Sequence, residues 1–529
     1  MSIEELGYLT ASAALAAYVL GTAADKCYSL MHNGQHLTPY YPALTLWALP
    51  IAVVAQKAFH RRYEIAKEMR KHGCKPANIY PQRDPILGID VLQRTMKSIK
   101  AGRVMQEWHQ WYQDHGNAFT TSTLGTTTFF LNDPENIKAI LTRDFESFPI
   151  KGPRQLTTTM IAGEHNILSL NKQAWHDARA LIRPTFVRNQ VSDMACMDRH
   201  VEHLLNKIPT DGTTVEMQEM FYMLTMDTST DFMFGQSTNT LTNPTKEALE
   251  FMKTFDRSTH GAAKITRTGP LARYLPKTEF NANRKVYVGF VDRYIQEAMA
   301  RDKTPERSYI FLDELVKSGA SPDQIRDQIL GLILGGRDTT AGALSMSLWI
   351  FARRPDIVKS LRDEIAQLDG KKPKWEQLKN MRYLNFFIKE LLRLYPSVGG
   401  TGRQAIKDTV LPTGGGLDGK SPLFVPKGSV VRWSMYTLHR RKDTFGPDAD
   451  EFRPERWDTL RSSWGWIPFS GGPRICIGQQ FALTQLSYTI VRILQRFSAI
   501  EPRSDEPLKT NYGITLTLDN GCHVAFTPA

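Results

Sequence analysis

A single long helix is the feature that most constrains how this chain can fold. Ser321 is a typical helix N-cap residue, Pro322 suits the first helical position, and Gln324 completes a capping box. The pattern predicts a helix over residues 322–354, because Pro355 cannot continue the hydrogen-bond ladder. At about 1.5 Å per residue this helix would be about 50 Å long, which is enough to cross a whole domain.

Short strands are predicted on both sides of a largely helical middle, which runs from about residue 134 to 395. Residues 119–131 alternate around Gly125 and predict a β-hairpin. Strand-like stretches return over residues 405–434, and the Asn520–Gly521 pair predicts a second hairpin within LTLDNGCHVAF. Helices kept apart from small sheets indicate an α+β, mostly helical fold and not a doubly wound α/β fold.

One segment, GGGLDGKS at residues 414–421, matches the phosphate-loop pattern G-x-x-x-x-G-K-[ST] letter for letter. A phosphate loop must open a helix, whose N-terminus helps to hold the anion. Pro422 and the strand-like stretch after it cannot open a helix. We therefore interpret this segment as a turn between two strands and not as a nucleotide site.

The net charge and the cysteine content limit which partners and which cellular compartment are compatible with the chain. The net charge of +12 is compatible with nucleic acid, an anionic membrane surface or an acidic protein as partner. Because there is no Arg-rich run and no interleaving of basic and aromatic residues, we do not expect nucleic-acid binding. The five cysteines are odd in number and far apart, which indicates a reducing compartment and not a disulfide framework.

The N-terminal region predicts a membrane anchor. Residues 6–24 carry no charge, and as a helix they would extend about 28 Å, close to the roughly 30 Å core of a bilayer. Residues 37–56 form a second uncharged candidate span, for which an amphipathic or buried helix is the alternative. Basic residues follow, so the positive-inside rule places the remaining chain in the cytosol. We expect an anchor over residues 1–75 and a folded body over residues 76–529.

The strongest local signal is FSGGPRICIG at residues 469–478. Cys476 lies between a Gly-Gly-Pro turn and a helix, where turn amides and the helix N-terminus favour a thiolate. Zinc is a poor fit because no second Cys or His lies nearby in the sequence. A lone thiolate suits haem iron, whose porphyrin supplies four ligand positions. A merely structural buried cysteine is the alternative.

This segment resembles the haem-binding loop of the cytochrome P-450 family at every fixed position of F-x-x-G-x-R-x-C-x-G. Those positions are Phe469, Gly472, Arg474, Cys476 and Gly478. The resemblance covers nearly all of the chain after about residue 80. It implies the cytochrome P-450 fold, with the long central helix over a haem b and Cys476 as the axial ligand of the haem iron. Phe469 and Gly478 would belong to the cofactor-binding loop.

Two further motifs resemble the family. KELLRLYP supplies Glu390 and Arg393, whose spacing places both side chains on one helix face. The resemblance implies that this pair joins Arg456 of FRPERW to brace the cysteine loop, which is a structural role. WHDAR supplies Trp175 and Arg179. The resemblance implies that this W-x-x-x-R pair lies on a cofactor-binding helix, where the arginine meets a haem propionate.

Arg403 and Arg474 are the other propionate partners that the resemblance implies. A planar guanidinium matches a carboxylate well, which is the physical reason to expect arginine here. His439 is a weaker candidate for an approach to the haem.

The middle of the long helix carries GGRDTTAG at residues 335–342. Glycine costs about 1 kcal/mol within a helix, so these positions require a reason, of which close helix packing is the simplest. The resemblance implies instead that the helix bulges over the haem and leaves room for dioxygen. Asp338 and Thr339 would then be the catalytic pair that delivers protons during oxygen cleavage.

The resemblance also implies partners and a location. The expected activity is a monooxygenase that receives electrons from a separate membrane-bound NADPH-cytochrome P-450 reductase, with cytochrome b5 as a further candidate. The expected location is the endoplasmic reticulum membrane, with the body on the cytosolic face. Basic residues around Cys476 are candidates for the reductase docking face, namely Arg440, Arg441, Lys442 and Arg461.

Several stretches, among them PENIKAIL and CIGQQFAL, look like those of fungal alkane and fatty-acid hydroxylases. They imply terminal or near-terminal hydroxylation of a long aliphatic, hydrophobic substrate. That group usually shows V-P-x-N-x-R where this chain has VGGTGR at residues 398–403, which predicts a roomier and less polar pocket. Tailoring of a fungal polyketide or lipid-like secondary metabolite is therefore the alternative. An electron-independent haem-thiolate isomerase or dehydratase and a non-catalytic lipid-binding relative also remain open.

Overall fold

The long helix predicted after Ser321 forms the centre of the molecule. In the computed structural model it spans Pro322–Phe351, and the predicted capping box is present. The helix ends at Phe351 and not at Arg354, because Pro355 is already the first residue of the next helix and the chain must turn before it.

The structure describes most of the chain, namely residues 19, 21–35, 41–84, 87–186, 194–300, 310–461 and 463–529. It divides into two compact units, residues 1–75 and residues 76–529. Within these described ranges, no helix is long and apolar enough to cross a membrane. The predicted span 6–24 lies largely outside the described residues, and residues 37–40 of the predicted span 37–56 do so too.

Helices make up most of the described chain. Besides a helical stretch over residues 21–31, the α-helices are α1 (Tyr41–Lys71), α2 (Ile89–Lys100), α3 (Val104–His115), α4 (Pro134–Leu141), α5 (Pro153–Ala162), α6 (Lys172–Ile182), α7 (Ala195–Lys207), α8 (Met217–Phe234), α9 (Lys246–Thr266), α10 (Thr278–Ala300), α11 (Phe311–Lys317), α12 (Pro322–Phe351), α13 (Pro355–Ile365), α14 (Trp375–Asn380), α15 (Arg382–Leu394), α16 (Met435–Leu438), α17 (Lys442–Phe445) and α18 (Gln479–Arg496).

The strands are short and form four small sheets. They are β1 (Asn78–Ile79), β2 (Ala118–Thr123), β3 (Thr126–Leu131), β4 (Val215–Glu216), β5 (Gly400–Gln404), β6 (Thr409–Gly415), β7 (Ser421–Val425), β8 (Val430–Ser434), β9 (Phe497–Pro502), β10 (Thr510–Tyr512), β11 (Leu516–Leu518) and β12 (His523–Pro528). The sheet orders are β1-β2-β3-β8-β5, β10-β11, β4-β12-β9 and β6-β7. Helices and small sheets remain separate, which confirms the predicted α+β, mostly helical class.

Two of the local strand predictions are confirmed. Strands β2 and β3 pair as an antiparallel hairpin whose turn is Leu124–Gly125, both with positive φ. The segment GGGLDGKS joins the antiparallel strands β6 and β7, so it is a turn and opens no helix.

The predicted C-terminal hairpin is wrong. Strand β11 pairs with β10, whereas β12 pairs with β9 and β4, so the Asn520–Gly521 turn connects two different sheets. The backbone N–H of Cys522 donates to Glu216 Oε1 at 2.6 Å, which directs the chain toward β4. A long-range contact therefore overrides the local turn signal.

Helix α12 takes part in two hydrophobic cores. Its N-terminal half, including Leu330 and Ile333, packs in a core with Phe255. Its C-terminal half, including Leu344, packs in a second core with Leu391. The GGRDTTAG segment lies between these two anchored halves.

Candidate active site

A cavity of about 320 Å³ that is partly open to solvent lies against the middle of α12. The predicted site residues that line it are Trp175, Arg179, Thr339, Arg403, Phe469, Arg474, Cys476 and Gly478. The predicted residues outside its lining are Asp338, Glu390, Arg393 and Arg456. Folding thus brings together side chains that lie far apart in the chain, from Trp175 to Cys476.

The loop that carries Cys476 is held by close packing. Gly472 has a φ of +66°, and a Cβ at this position would lie 2.0 Å from the carbonyl oxygen of Leu141 at the end of α4. Only glycine fits both the conformation and the contact. The backbone N–H of Cys476 donates to Phe469 O at 3.0 Å, which closes the loop so that Cys476 lies at the cavity wall.

The surroundings of the Cys476 thiol both oppose and favour its ionisation. Burial raises the thiol pKa, while a hydrogen bond from the Gly478 backbone and the charge of Arg179 lower it. The net pKa lies above the ordinary value. A metal ion at this position would displace the proton directly, because coordinated thiols are deprotonated.

Four buried or half-buried arginines line the cavity: Arg154, Arg179, Arg403 and Arg474. Burial lowers the pKa of all four, to about 10 for Arg154 and about 9 for Arg474. Repulsion from Arg154 and Arg474 further lowers the pKa of Arg403. The salt bridges among the described residues include none of these four arginines, although the charge of Glu146 partly offsets the lowered pKa of Arg474. Such a cluster requires an anionic partner, and a group with two carboxylates fits it.

Trp175 orients part of this cluster. Its indole ring lies 4.5 Å from the Arg474 guanidinium carbon and 5.7 Å from that of Arg179. Because Trp175 is buried, it provides a fixed platform for both cations.

Arg154 was not predicted from the sequence. It lies in the first turn of α5 and donates to Thr401 Oγ1 at 2.8 Å. A cation in the first turn opposes the helix dipole, and this was the available signal that the position serves a purpose other than helix stability.

Behind the cavity, Glu390 is the centre of a fully buried polar network. Its carboxylate accepts from Arg393 at 2.8 Å, from Arg456 Nε at 2.9 Å and from Trp457 Nε1 at 3.0 Å. The backbone N–H of Arg453 adds a fourth donor at 2.9 Å. The structure thus brings the two predicted arginines together on one carboxylate, and Trp457 is a member that the sequence did not reveal.

His439 connects this network to the cysteine loop and does not line the cavity. Its carbonyl oxygen accepts from Arg393, while its Nε2 accepts from the Ile467 backbone N–H at 2.9 Å. Burial lowers the pKa of His439 to about 3, so the ring is neutral. His439 thus makes structural contacts here, and its approach to the haem stays a prediction.

In the middle of α12, glycines leave space on the cavity side. Gly335 and Gly336 both line the cavity, and a Cβ added at Gly335 would meet no atom within 4 Å. The helix is nevertheless continuous through this segment, without the expected bulge. Instead, Thr339 Oγ1 donates to Gly335 O at 2.8 Å, and this bond is compatible with a regular helix.

Asp338 faces away from the cavity into a charged cluster. Its Oδ1 accepts from Arg337 Nη1 at 3.0 Å, and Arg337 also pairs with Asp256 of α9. Burial raises the pKa of Asp338, while Arg337 lowers it and Asp256 raises it further. Arg337 and Asp256 were not predicted, because their pairing depends on the packing of two helices.

The glycines of VGGTGR do not enlarge the cavity as expected. A Cβ at Gly399 would lie 2.5 Å from Met105 Sδ, and one at Gly402 would lie 2.8 Å from Val431 O. Neither contact atom belongs to a residue of the cavity wall. The glycines therefore permit close packing of β5, while Val398 and Thr401 line the cavity.

Two of the four basic residues predicted for docking are already engaged. Arg440 is buried and lies 3.5 Å over the Tyr436 ring. Arg441 pairs with Asp443 and donates to the Asn132 carbonyl. Lys442 and Arg461 are exposed and remain candidates.

A second group of possible metal ligands, Cys196, His200 and Asp231, lies on α7 and α8. Its carboxylate already accepts from Arg199 at 2.6 Å and from His200 at 2.8 Å. We therefore assign no metal to this group.

Comparison with known proteins identifies related chains. Residues 81–521 match the family model described as Cytochrome P450. The chain is 39% identical over 475 residues to Cytochrome P450 monooxygenase FPY7 of Fusarium mangiferae, covering 87% of this chain and 91% of that protein.

Two other relatives are similar over comparable lengths. Cytochrome P450 monooxygenase himC of Aspergillus japonicus is 38% identical, covering 90% of this chain and 88% of its own. Cytochrome P450 52A13 of Debaryomyces hansenii is 35% identical, covering 91% and 96%.

Proposed function

Because this chain belongs to the cytochrome P450 family and is thus a monooxygenase, an oxidoreductase, we propose that it hydroxylates a long aliphatic substrate at a haem b bound in the central cavity. The observation that carries the proposal is the convergence of Cys476, Thr339 and four arginines on one apolar cavity. Each of these groups has a distinct task in such a reaction.

The donor set fits a haem. Cys476 would hold the iron, and the Gly478 backbone N–H would stabilise the thiolate. Arg154, Arg403 and Arg474 form a cationic cluster without salt bridges in the described chain, and this suits the two propionates. When bound, a thiolate-ligated haem activates dioxygen so that one oxygen atom is inserted into a C–H bond.

Two residues of α12 would hold a proton and transfer it to the cavity. Thr339 presents its hydroxyl at the cavity wall, and Asp338 lies next to it in the chain but on the buried side. Burial favours the protonated form of the Asp338 carboxyl. Asp338 can therefore hold a proton for delivery to the cavity by way of Thr339.

The cavity wall suits a hydrophobic substrate. Away from the arginines it is largely aliphatic, with the side chains of Ile150, Ile167, Leu168, Leu332 and Val398. An apolar wall binds an alkyl chain and excludes water from the reacting atoms. This wall and the similarity to fungal alkane and fatty-acid hydroxylases support a fatty acid or n-alkane, oxidised at or near its terminal carbon.

A fungal polyketide or lipid-like metabolite is a second candidate substrate. The departure at residues 398–403 favours it, because Thr401 stands in the cavity wall at the position where that group usually has Asn. Electrons would come from NADPH through a separate reductase, whose docking face would include Lys442 and Arg461. We also propose an N-terminal anchor over residues 1–75 and residence at the endoplasmic reticulum membrane.

The haem-thiolate assignment is tested first. We expect the reduced protein with carbon monoxide to show the Soret band of a thiolate-ligated haem and Cys476→Ala to lose it, while Cys74→Ser keeps it. A band that persists in Cys476→Ala would contradict the assignment. Reductase-dependent NADPH consumption then separates a monooxygenase from an electron-independent isomerase.

The substrate is tested by a spin-state titration of the ferric holoenzyme with fatty acids and alkanes of increasing length. A low-to-high-spin shift with an optimum length supports the aliphatic hydroxylase. If no chain length causes a shift while a cyclic or polyketide ligand does, the second candidate is correct.

A further inference from the structure

Arg337 is one of the largest fully buried side chains of the described chain, with 1% of its surface exposed. A buried guanidinium is costly unless opposite charges surround it. Here Asp256 of α9 accepts from both Nη1 and Nη2, whereas Asp338 accepts from Nη1 only, at 3.0 Å. The guanidinium carbon also lies 4.6 Å from the Tyr222 ring centroid. One cation is thus shared unequally between two carboxylates.

The two carboxylates differ in their access to solvent. The Asp256 side chain is 41% exposed, whereas the Asp338 side chain is 13% exposed. The more exposed carboxylate, that of Asp256, thus accepts two hydrogen bonds from the guanidinium, and the less exposed Asp338 accepts one. Asp338, the residue next to the cavity threonine, has a single charge-assisted bond and little hydration, so its anion is poorly stabilised.

We propose that Asp256 is a positioning residue, which acts through Arg337 to set the charge and orientation of Asp338. With Asp256 ionised, Arg337 is held toward α9, and Asp338 can keep a proton. Without the Asp256 charge, Arg337 would pair with Asp338 alone and stabilise the anionic form of its carboxyl group. The inference rests on the proposed role of Asp338 in proton delivery.

Four groups act electrostatically on Asp338 or respond to its charge. Arg337 precedes it on α12, Asp256 and His260 belong to α9, and Tyr222 belongs to α8. His260 is exposed and its Nδ1 contacts the Asp256 carbonyl, so it belongs to the same charged cluster. A test must therefore separate Asp256 from His260.

The test uses the reduced holoenzyme with carbon monoxide, whose stretching frequency responds to nearby charge. We expect this frequency to titrate with pH in the unchanged protein and to lose that titration in Asp338→Asn. In Asp256→Asn the midpoint should fall by about one pH unit or more, because an opposite charge then stabilises the Asp338 anion. Asp256→Glu should restore the original midpoint.

Two controls make the result specific. Glu250→Gln removes an exposed carboxylate from the same helix and should keep the midpoint within the error of the measurement. His260→Gln removes a weaker electrostatic neighbour of Asp338, so it should shift the midpoint by much less than Asp256→Asn does. An unchanged midpoint in Asp256→Asn would overturn the inference. If Asp256→Asn and Asp256→Ser both fail to fold while Glu250→Gln folds, the residue has only a structural role, which also overturns it. Absence of the thiolate-type Soret band in the unchanged protein would instead reject the proposed function.

Discussion

Arg456 Nε lies 2.9 Å from Glu390 Oε1, although 66 positions separate the two residues in the chain. Both side chains are buried, at 5% and 0% exposure. This ion pair joins α15 to the segment that precedes the cysteine loop. The same carboxylate binds Arg393, so the loss of Glu390 leaves Arg393 buried without its anion, while Arg456 keeps Asp448 as a second partner.

Glu390→Gln should strongly destabilise the protein. Removal of one partner from a buried ion pair costs about 3–5 kcal/mol, because the remaining charge is uncompensated. The measurement is urea unfolding of the holoenzyme, followed by far-UV circular dichroism. Glu455→Gln is the matched control on an exposed carboxylate and should change the unfolding free energy by less than about 1 kcal/mol. Equal effects of the two variants would contradict the central role of Glu390.

Arg154→Gln should weaken haem binding without destabilising the apoprotein. The substitution removes the charge-assisted contact that we propose Arg154 makes to the haem, worth about 1.5–3 kcal/mol, so haem loss should accelerate by about 10- to 100-fold. It also removes a cation that repels Arg403 and Arg474 in the empty cavity. Transfer of haem to an acceptor protein measures the first effect, and thermal unfolding of the apoprotein measures the second.

The control for Arg154→Gln is Arg143→Gln, which removes an exposed arginine that already pairs with Asp144. It should leave the rate of haem loss unchanged. A normal rate in Arg154→Gln would show that Arg154 does not contact the cofactor.

Gly402→Ala and Gly335→Ala should have opposite consequences. At Gly402 the new methyl group would lie 2.8 Å from the Val431 carbonyl, and overpacking of this kind costs about 1–3 kcal/mol. At Gly335 the methyl group enters the cavity, and the better helix propensity of alanine should raise stability by up to about 1 kcal/mol. The unfolding free energies of the two variants distinguish the two effects. The longest fatty acid that shifts the spin state of each variant is the second measurement. A stable Gly402→Ala variant with an altered length optimum would restore the view that this strand shapes the pocket.

His439 should make stability depend on pH. Its pKa is about 3 in the folded protein because of burial, against an ordinary value of 6.5 in an unfolded chain. Between these two values His439 is protonated in the unfolded state but neutral in the folded state. The stabilising contribution of the neutral ring is therefore complete above pH 6.5 and is lost as the pH falls toward 3. Between pH 6.5 and pH 5 the loss should be about 2 kcal/mol.

The measurement is the unfolding free energy of the unchanged protein and of His439→Gln across this pH range. The glutamine oxygen can still accept from the Ile467 N–H but does not titrate, so the slope should become shallower. His523→Gln, at an exposed position, should retain the original slope. An unchanged slope in His439→Gln would assign the acid sensitivity to other groups.

Much of the fold, and the local structure around the candidate site, could be predicted from short sequence patterns. The capping box at Ser321, the hairpin at Gly125 and the turn and helix on either side of Cys476 depend on neighbouring residues, and all three are present in the structure. Local turn chemistry failed at Asn520–Gly521, where a contact with Glu216 placed the two strands in different sheets. That contact joins residues 306 positions apart, so no short sequence pattern can predict it.

The sequence by itself determined which residues we expect at the site, namely the cysteine between a tight turn and a helix and the acid–alcohol pair, and it determined the pairing of Glu390 with Arg393 that the structure shows. Only the tertiary structure decided what surrounds them. Arg154 joins the cationic cluster and Asp256 reaches Arg337 because separate helices pack side by side. Capping, turns and helix faces depend on residues within a few positions, whereas charge clusters and glycine contacts depend on atoms that only folding brings together.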